Sequence, residues 1–561
     1  MNQRHFKFWP RNAPHSLTLP RTSLTYNLEV SATRFSDKTA LLFYDTPISY
    51  GELRETTTRL AGYLQRACEI KRGDRVAVYM QNSPQFMMAY YAILRADAMV
   101  VPVNAMLTTE ELRHVLRDSG ARVIFAAQEL LPRVAPLRQD GTLAHVISAT
   151  YSDYLREPTD LAMPGFITAP RATQPGPAGA VAWQDALEAG HSPAPAQAGP
   201  DDLCVMPYTS GTTGLPKGCI HTHATVMHTL MAQTQWYGGL CADHICLCTL
   251  PLFHVTAMQA SMNTPIYGGL TIVILPRWDR DVAGQLIARH KITQWSSITT
   301  MLVDFVSNPK LADYDISSLQ RLGGGGAAMP EAVAQKLKDL TGLEYIEGYG
   351  LSETIAPSHV NPPDRPKRQC LGIPIFDTDS RIVNPDTLHE VAVGEVGEII
   401  TCGPQVFKGY WNDQAKTEAA FIEKDGKRFF RTGDLARVDE DGYFFMADRL
   451  KRMINASGFK VWPAEIEAML YAHPDIQEAC VIASGDAHRG ETVKAYIVLR
   501  PGARGTTRPE DIVAWAREHM AAYKYPRLVE FIEALPKSGT GKVQWRLLQE
   551  QENARTAKLL A

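Results

Sequence analysis

The chain has 561 residues, of which 45% are hydrophobic and 21% charged, and 57 Lys and Arg oppose 60 Asp and Glu for a net charge of −3. This composition is typical of a soluble globular protein and excludes intrinsic disorder, a collagen-like chain and a small disulfide scaffold. The near-neutral charge argues against a dedicated nucleic-acid-binding protein, which carries a basic excess. At roughly 150 residues per domain, the length allows three or four compact units or two larger ones.

Signals for export and membrane insertion are missing from the expected places. Residues 1–17 are basic and aromatic, without the apolar core of a signal peptide. The most apolar stretch, residues 86–107, contains Arg95, Asp97 and Asn104, so we expect no transmembrane helix. An odd number of cysteines, nine, is typical of a reducing compartment. We therefore expect a cytoplasmic protein whose N-terminus makes at most a weak contact with anionic lipid.

Hydrophobic patterning predicts an α/β protein. Short β-rich runs alternate with helical patterns over residues 24–130 and again over 202–340. In the first stretch we predict strands at 75–80, 100–103 and 123–126 and a helix at 84–96. Between the two stretches, residues 157–200 are rich in Pro, Ala and Gly, and we expect a surface insertion with little structure of its own.

The C-terminal third continues with strands and then a change of pattern. We predict strands at 394–400, 429–438 and 443–447, and the last two are joined by a turn at 439–442 as a hairpin. From residue 451 onward the pattern indicates a compact βαβ-like unit, with helices at 463–472 and 509–520 and strands at 479–483 and 493–499.

A cluster of cysteines allows two interpretations. Three cysteines and one histidine lie close together at Cys241, His244, Cys246 and Cys248. Their spacing is not a paired C-x-x-C set, and apolar residues interleave as in a buried strand, which favours core cysteines over a metal site.

The segment 208–218, YTSGTTGLPKG, is the most informative in the chain. It follows a strand-like run and precedes a helix that begins near His223. Its glycines and hydroxyl residues offer N–H and O–H donors to phosphate oxygens, and Lys217 adds a mobile cation. It is not a Walker A loop, because Pro216 precedes Lys217 and Gly218 follows it. The alternative is an ordinary Ser/Thr/Gly turn.

This segment is the first of seven motifs that follow one another along most of the chain. They are YTSGTTGLPKG (208–218), PLFH (251–254), GGGGAA (323–328), EGYGLSET (347–354), RTGD (431–434), DRLK with SGFK and PAEIE (448–467) and PKSGTGK (536–542). In this series the chain resembles the adenylate-forming superfamily of acyl-CoA synthetases, adenylation domains of peptide synthetases and firefly-type luciferases. The resemblance implies a large N-terminal α/β domain of several subdomains, residues 1–449, that binds AMP and the acyl group. It also implies a small mobile α+β domain, residues 450–561, that carries a catalytic lysine.

The resemblance also implies a nucleotide site. Its ATP- and AMP-binding residues are Thr209, Ser210, Gly211, Thr212, Thr213, Gly214, Lys217, Gly325, Gly326, Ala327, Gly348, Tyr349, Gly350, Thr354, Asp434, Arg449 and Lys542. Any one of these residues taken alone could instead be a solvated charge or a packed aromatic side chain. The occurrence of all seven motifs in order favours the nucleotide-binding interpretation.

The side chains at several of these positions have the chemical properties that binding of a nucleotide and its metal ion requires. Tyr349 can stack on adenine, and the glycine-rich motif lets the backbone approach the nucleotide. Glu353 and the hydroxyl of Thr213 are hard oxygen ligands for the Mg²⁺ that accompanies ATP.

The remaining polar residues complete this implied site. Thr354 would donate to the α-phosphate, Asp434 would accept both ribose hydroxyls, and Arg449 would contact ribose or phosphate.

Lys542 is the leading catalytic candidate, and Glu353, Thr213 and His254 complete the implied catalytic set. Attack of a carboxylate on the α-phosphate brings two anions together, so a lysine delivered to both stabilises the transition state. The alternative is a surface lysine in a turn beside Lys537.

Lys451 falls at the family's hinge position. Rotation there after adenylation would remove Lys542 and present Ser457, Gly458 and Phe459 to the acceptor thiol, coenzyme A.

The residue after Phe253 narrows the class of carboxylic acid that the enzyme would activate. Amino-acid-activating relatives usually carry Asp there, whereas His254 resembles enzymes of simple carboxylic acids. Apolar residues follow at Ala257, Met258, Ala260 and Met262, which either line an acyl pocket or belong to the core.

Three hypotheses follow. The pattern favours a medium- or long-chain fatty acid converted to acyl-CoA, with an aryl-acid CoA ligase as one alternative. A stand-alone fatty-acyl-AMP ligase that loads a carrier protein is the second hypothesis. A non-catalytic nucleotide or acyl-CoA sensor is the third, and it predicts the loss of Glu353, Asp434 or Lys542, all of which are present.

Overall fold

The chain folds into two compact units. The computed structural model describes residues 4–172, 179–209, 216–326, 329–449, 452–456, 459–486, 490–521, 524–537 and 543–560. The first unit comprises Met1–Asp379, Thr401–Phe430 and Asp441–Tyr443, and the second comprises Ser380–Ile400, Arg431–Glu440 and Phe444–Ala561. The second unit thus includes residues before the predicted domain boundary at 449, and that boundary stays a prediction.

Helices and strands alternate along most of the chain, as the α/β patterning predicts. The helices are α1 (Thr25–Arg34), α2 (Tyr50–Arg66), α3 (Pro84–Arg95), α4 (Thr109–Ser119), α5 (Leu131–Gln139), α6 (Gly165–Thr168), α7 (Trp183–Glu188), α8 (His223–Trp236), α9 (Val255–Ala257), α10 (Thr264–Gly268), α11 (Arg280–His290), α12 (Thr299–Val306), α13 (Glu331–Thr341), α14 (Gln414–Ala419), α15 (Pro463–Leu470), α16 (Pro509–His519) and α17 (Trp545–Leu560). The strands are β1 (Thr39–Phe43), β2 (Thr46–Ser49), β3 (Arg75–Tyr79), β4 (Met99–Val103), β5 (Val123–Ala127), β6 (His145–Ala149), β7 (Val181–Ala182), β8 (Leu203–Val205), β9 (Tyr208–Thr209), β10 (Lys217–Thr222), β11 (Ile245–Cys248), β12 (Thr271–Ile274), β13 (Gln294–Ser297), β14 (Arg321–Gly325), β15 (Tyr345–Tyr349), β16 (His359–Val360), β17 (Ile373–Pro374), β18 (Asp379–Val383), β19 (Gly397–Cys402), β20 (Gly409–Tyr410), β21 (Phe421–Lys424), β22 (Lys427–Val438), β23 (Phe444–Arg449), β24 (Ile454–Ala456), β25 (Phe459–Val461), β26 (Ile476–Asp486), β27 (Gly490–Leu499) and β28 (Leu528–Phe531).

Two nine-stranded sheets form the first unit. One has the strand order β17-β16-β15-β14-β13-β11-β12-β1-β2, and the other has β20-β10-β8-β4-β3-β5-β6-β7 with β9 paired to β10. The central pairs of both sheets are parallel. Strands β4 and β5 are buried along their whole length, as continuous apolar runs in covered parallel sheets are. The predicted strands at 75–80, 100–103 and 123–126 are therefore confirmed as central strands.

Helix α4 lies beside the candidate site, and its ends are well defined by sequence. The Thr108 hydroxyl accepts from the N–H of Glu111, and the Glu111 carboxylate accepts from the N–H of Thr108, which forms a capping box. The helix ends at Gly120, whose φ of 68° is a left-handed conformation that glycine adopts without strain.

The prediction for residues 157–200 is wrong for residues 165–168 and 181–188, which form two short helices and a strand, whereas most other described residues of the segment have no regular structure. Val181 and Ala182 form β7, which pairs in parallel with β6 at the sheet edge. Trp183 is buried, and its indole N–H donates to the Tyr154 hydroxyl at 3.3 Å. The Asp97 carboxylate accepts from the backbone N–H of Gln197 at 3.0 Å. Composition misleads here because the ordering contacts come from side chains elsewhere in the chain.

The N-terminal aromatic residues pack against the first unit. The Trp9 ring makes edge contacts with Trp236 and Phe376, with centroids 4.9 and 5.2 Å apart. Phe8 packs on Tyr443 at 5.4 Å. These rings are thereby engaged within the protein, and the expected weak lipid contact stays a prediction.

The second unit contains a mixed sheet of its own. Its strand order is β25-β24-β27-β26, with β28 parallel to β27. Helix α16 connects β27 to β28, so the predicted βαβ pattern is found there, whereas β26 and β27 pair antiparallel. The predicted hairpin at 429–447 is also confirmed, since β22 and β23 pair antiparallel between Asp434↔Arg449 and Val438↔Phe444.

The cysteines behave as core residues in the predicted strand. Cys246 and Cys248 are buried in β11, whereas Cys241 is exposed, and all nine cysteines are free. Within the described residues, no group of three or more His, Cys, Asp or Glu is arranged to hold a metal ion. Across the same residues, no helix has both the length and the apolar character needed to cross a membrane.

Candidate active site

The predicted phosphate loop is closed by a β-hairpin. Strands β9 and β10 pair antiparallel through Lys217↔Thr209 and Gly218↔Tyr208. This pairing holds the two ends of the glycine- and hydroxyl-rich stretch next to each other. Five of its predicted phosphate ligands, together with Leu215, lie outside the described residues: Ser210, Gly211, Thr212, Thr213 and Gly214.

Helix α4 fixes both ends of this hairpin. The Tyr208 hydroxyl donates to Asp118 Oδ2 at 2.6 Å. At the other end, a ring nitrogen of His114 lies 3.0 Å from the carbonyl oxygen of Pro216, so that nitrogen carries the proton. Burial, followed by the Asp118 contact, raises the pKa of Tyr208, which keeps its hydroxyl a donor.

The turn Ser352–Thr354 lies against the hairpin strand β10. His221 on β10 donates from Nε2 to the Ser352 carbonyl oxygen at 2.8 Å. The backbone N–H of Phe407 donates to the Glu353 carbonyl oxygen at 2.8 Å. Thr354 is fully buried, and its hydroxyl oxygen accepts from the Leu351 N–H at 2.9 Å. Its predicted donation to the α-phosphate stays a prediction and would need this hydroxyl to turn outward.

Tyr410 connects the turn with the hairpin. Its hydroxyl donates to Glu353 Oε1 at 2.9 Å, and the ammonium of Lys217 lies 4.4 Å from the centre of its ring. Burial and the neighbouring Glu353 raise the pKa of Tyr410, so the phenol stays protonated and donates. The predicted magnesium ligand and the predicted phosphate-binding lysine are thus brought together by one side chain.

Glycines on β14 allow three strands to pack closely. A Cβ on Gly325 would lie 2.2 Å from the Gly348 carbonyl oxygen, and one on Gly324 would lie 1.8 Å from the Ser297 carbonyl oxygen. Gly326 follows with a φ of 97°, which favours glycine. Strand packing therefore requires part of this motif. Its predicted approach to the nucleotide stays a prediction, and Ala327 lies outside the described residues.

Tyr349 ends strand β15 on the neighbouring side. The ring is largely buried and lies 5.6 Å from the His359 ring at a tilt of 58°. Gly350 follows in a tight turn, where a Cβ would meet the Cα atoms of Ala356 and Pro357 at 2.9 Å. Stacking of Tyr349 on adenine remains a prediction.

The loop that carries His254 is held by Asn82. The Asn82 amide donates to the Leu250 carbonyl oxygen at 2.9 Å and accepts from the Leu252 N–H at 2.8 Å. Half-buried His254 then caps α9, accepting from the N–H of Thr256.

The apolar stretch after His254 enters the core. Met258–Asn263 is a π-helical segment, a form that recurs at functional sites. Met258 and Met262 are fully buried in the hydrophobic core of the first unit.

Other predicted site residues belong to the second unit. Asp434 is buried on β22, opposite Arg449 of β23, and Phe459 begins β25. Lys451, Ser457, Gly458 and Lys542 lie outside the described residues. Their predicted roles as hinge, coenzyme A-binding segment and catalytic lysine stay predictions.

Glu353 fits the magnesium ion that accompanies ATP. Mg²⁺ prefers oxygen ligands and is commonly held by one or two carboxylates together with phosphate oxygens. Glu353 offers a buried carboxylate oriented by a hydroxyl donor, within the turn that His221 holds against the hairpin strand. Thr213, the second predicted ligand, is outside the described residues.

Four positioning residues were not identified from the sequence: Asp118, His114, Asn82 and Tyr410. Each acts through a contact with a distant part of the chain, which periodicity does not reveal. The aromatic pair Tyr410-Trp411 after Gly409 is the one local signal that could have drawn attention to this region.

Comparison with known proteins agrees with the motif series. Residues 28–411 match the model of the AMP-binding enzyme family, and residues 465–542 match that of the AMP-binding enzyme C-terminal domain. The chain belongs to the AMP-binding enzyme family. It is an adenylate-forming enzyme with the expected α/β fold.

Individual relatives match across nearly their whole length. A long-chain-fatty-acid–CoA ligase of Bacillus subtilis is 36% identical over 554 residues, 97% of each chain. A feruloyl-CoA synthase of Amycolatopsis is 34% identical over 90% of this chain and 94% of its own. The crystal structure of an anthranilate CoA ligase in complex with anthranoyl-AMP superposes with a TM-score of 0.83 at 26% identity, covering 96% of this chain and 99% of that one.

Buried histidines make the first unit sensitive to acid. His221, His223, His228 and His359 are buried, and burial lowers the pKa of the first three to about 4 and that of His359 to about 3. Below about pH 6.5 these histidines become protonated in the unfolded chain but stay neutral in the folded chain. The free energy of unfolding therefore rises with pH between about pH 4 and 6.5. The contribution is complete above pH 6.5 and is lost as the pH falls toward 4.

Replacement of His221 should therefore make the free energy of unfolding less dependent on pH in the acid range. We expect His221→Gln to reduce the slope by up to one proton, about 1.4 kcal/mol per pH unit, between pH 6.5 and 4. Urea unfolding at a series of pH values from 7.5 to 4.5 measures this slope. The matched control is His389→Gln, at an exposed histidine. Equal slopes in the two variants would contradict the assignment of a neutral buried His221.

Proposed function

We propose that this enzyme converts a medium- or long-chain fatty acid to its coenzyme A thioester in two steps. In the first, a carboxylate oxygen attacks the α-phosphorus of ATP, the bond to the bridging oxygen breaks, and pyrophosphate leaves. In the second, the coenzyme A sulfur attacks the acyl carbon, the carbon–oxygen bond to phosphate breaks, and AMP leaves with the carboxylate's oxygen. The thiol proton passes to solvent.

One observation carries the proposal: the placement of Glu353 and Lys217 on the two sides of Tyr410, at the hairpin that encloses the phosphate motif. The lysine would bind phosphate oxygens, and the carboxylate would hold the magnesium ion. Mg²⁺ bound with the triphosphate would neutralise part of its charge. Lys542 would bridge the carboxylate and the α-phosphate, where its charge lowers the repulsion between two anions.

The choice of acid rests on two supports. The relative at 36% identity is named for long-chain fatty acids, and it covers 97% of this chain. The residues on either side of His254 include buried apolar side chains, such as Leu250, Val255 and Met258. The feruloyl-CoA synthase at 34% identity keeps an aryl acid as the second candidate.

Coenzyme A is the proposed acceptor, since both relatives are named for coenzyme A thioesters. A fatty-acyl-AMP ligase that loads a carrier protein is the alternative. We also propose a cytoplasmic location, which the nine free cysteines favour because such thiols persist in a reducing compartment.

A substrate panel tests the proposed acid. We expect coenzyme A-dependent AMP formation to be fastest with saturated acids of about 8 to 18 carbons, because an apolar pocket gains binding free energy with each buried methylene. Acids from C2 to C18, benzoate and ferulate are assayed at equal concentration for AMP and pyrophosphate. Preference for the aryl acids would overturn the fatty-acid assignment. Acyl-adenylate formation with pyrophosphate release but no coenzyme A-dependent AMP release would favour the carrier-loading alternative.

A lysine variant tests the proposed chemistry. Lys542→Ala should lower adenylation by at least about 100-fold, because one cation at the developing charge is removed. It should spare thioester formation from supplied acyl-adenylate, which does not need that cation. The two half-reactions are measured separately, with the nearby Lys537→Ala as the matched control. Equal loss in both half-reactions would contradict the proposed role of Lys542.

A further inference from the structure

The position of Tyr410 is determined by the edge of a sheet. Strand β20 pairs antiparallel with β10 through Cys219↔Tyr410 and Ile220↔Gly409. The N–H of Tyr410 donates to the Thr417 hydroxyl at 2.9 Å, and the next N–H, of Trp411, donates to the Gly218 carbonyl oxygen at 2.8 Å. The backbone at Tyr410 is therefore attached directly to the hairpin strand that carries Lys217.

The Tyr410 ring is fixed from the other side by aromatic packing. The Phe407 ring lies 4.9 Å away at an angle of 69°, and Phe407 also packs against Phe421 and Phe430. The backbone N–H of Phe407 donates to the Glu353 carbonyl oxygen at 2.8 Å. The short stretch 407–410 thus contacts Glu353 twice, through a backbone donor and through the Tyr410 hydroxyl.

We propose that Tyr410 is a positioning residue that couples the binding of Mg²⁺ to the binding of ATP. Its hydroxyl holds the Glu353 carboxylate in one orientation, and its ring face holds the Lys217 ammonium at the mouth of the phosphate hairpin. The proposal deepens the function proposed above and rests on it, because it takes Glu353 as the magnesium ligand.

Two features of the contacts make coupling the expected consequence. A hydroxyl bound to one carboxylate oxygen fixes the rotamer and so directs the second oxygen, which lowers the entropic cost of holding a metal. An aromatic face attracts an ammonium while leaving its full charge for an anion. No salt bridge to Lys217 is found among the described residues, although Lys416 and, more weakly, Lys217 lower the pKa of Asp413.

Tyr443 provides a closely matched control. Its hydroxyl donates to the Arg365 carbonyl oxygen at 2.7 Å, and the ammonium of Lys367 lies 4.4 Å from its ring centre. It therefore has the same pair of contacts, a hydroxyl donation and a lysine over the ring, but with neither Glu353 nor Lys217. A Tyr→Phe change at either position removes one part-buried hydroxyl donor.

The experiment is equilibrium binding of ATP to the full chain by calorimetry. Each variant is titrated with ATP in EDTA and again in saturating Mg²⁺, and the ratio of the two dissociation constants is the coupling factor. We expect Y410F to bind ATP normally in EDTA, since the ring stays over Lys217, and to lose about ten-fold or more of the coupling factor. E353Q should lose at least as much, and the double variant no more than E353Q alone. Y443F should keep the wild-type factor.

Each result decides a different question. A wild-type coupling factor in Y410F, together with a reduced one in E353Q, overturns the role of Tyr410 and leaves the proposed function intact. A wild-type factor in E353Q overturns the magnesium assignment and with it the role of Tyr410. Melting temperatures identify any general loss of structure. Equal losses of coupling in Y410F and Y443F would also overturn the proposal, because a merely structural effect would then explain both.

Discussion

One tyrosine connects two separate stretches of the first unit, the hairpin strand β10 and the turn Ser352–Thr354. Tyr410 is attached through its backbone to the phosphate hairpin, through its ring to Lys217 and through its hydroxyl to Glu353. The pairing of β20 with β10 is the constraint behind all of these contacts. Without that pairing, the turn at 352–354 would keep its contact with β10 through His221 but would lose the contact with Tyr410 that orients Glu353.

The arrangement explains how a nearly neutral chain can serve anionic substrates. The net charge of −3 says nothing about where the cations lie. Lys217 lies on an aromatic face at the hairpin, and the buried histidines of the first unit stay neutral near pH 7 because burial lowers their pKa. The local field at the candidate site is therefore set by a few positioned groups rather than by the total charge.

Sequence reasoning succeeds where the physical signal is local. Continuous apolar runs predict β4 and β5, because a strand that is buried on both faces lacks the alternating polar residues of a half-exposed strand. The motif order predicts the family, and it singles out the segment 208–218, which the structure closes as a hairpin. It misses Asp118, Asn82 and Tyr410, whose contacts cross long stretches of sequence. The misjudged parts of the segment 157–200 have the same cause, since residues outside it, Asp97 and Tyr154, bond to Gln197 and Trp183 within it.

The proposed function depends on one step, in which an oxygen of the carboxylic acid forms a bond to the α-phosphorus of ATP. The most direct measurement is a single turnover with a fatty acid labelled with ¹⁸O in both carboxylate oxygens, followed by mass spectrometry of the products. If the acid is activated in this way, AMP carries one ¹⁸O atom, the thioester carries one and pyrophosphate carries none. Unlabelled AMP, or label in any other phosphate product, would contradict it.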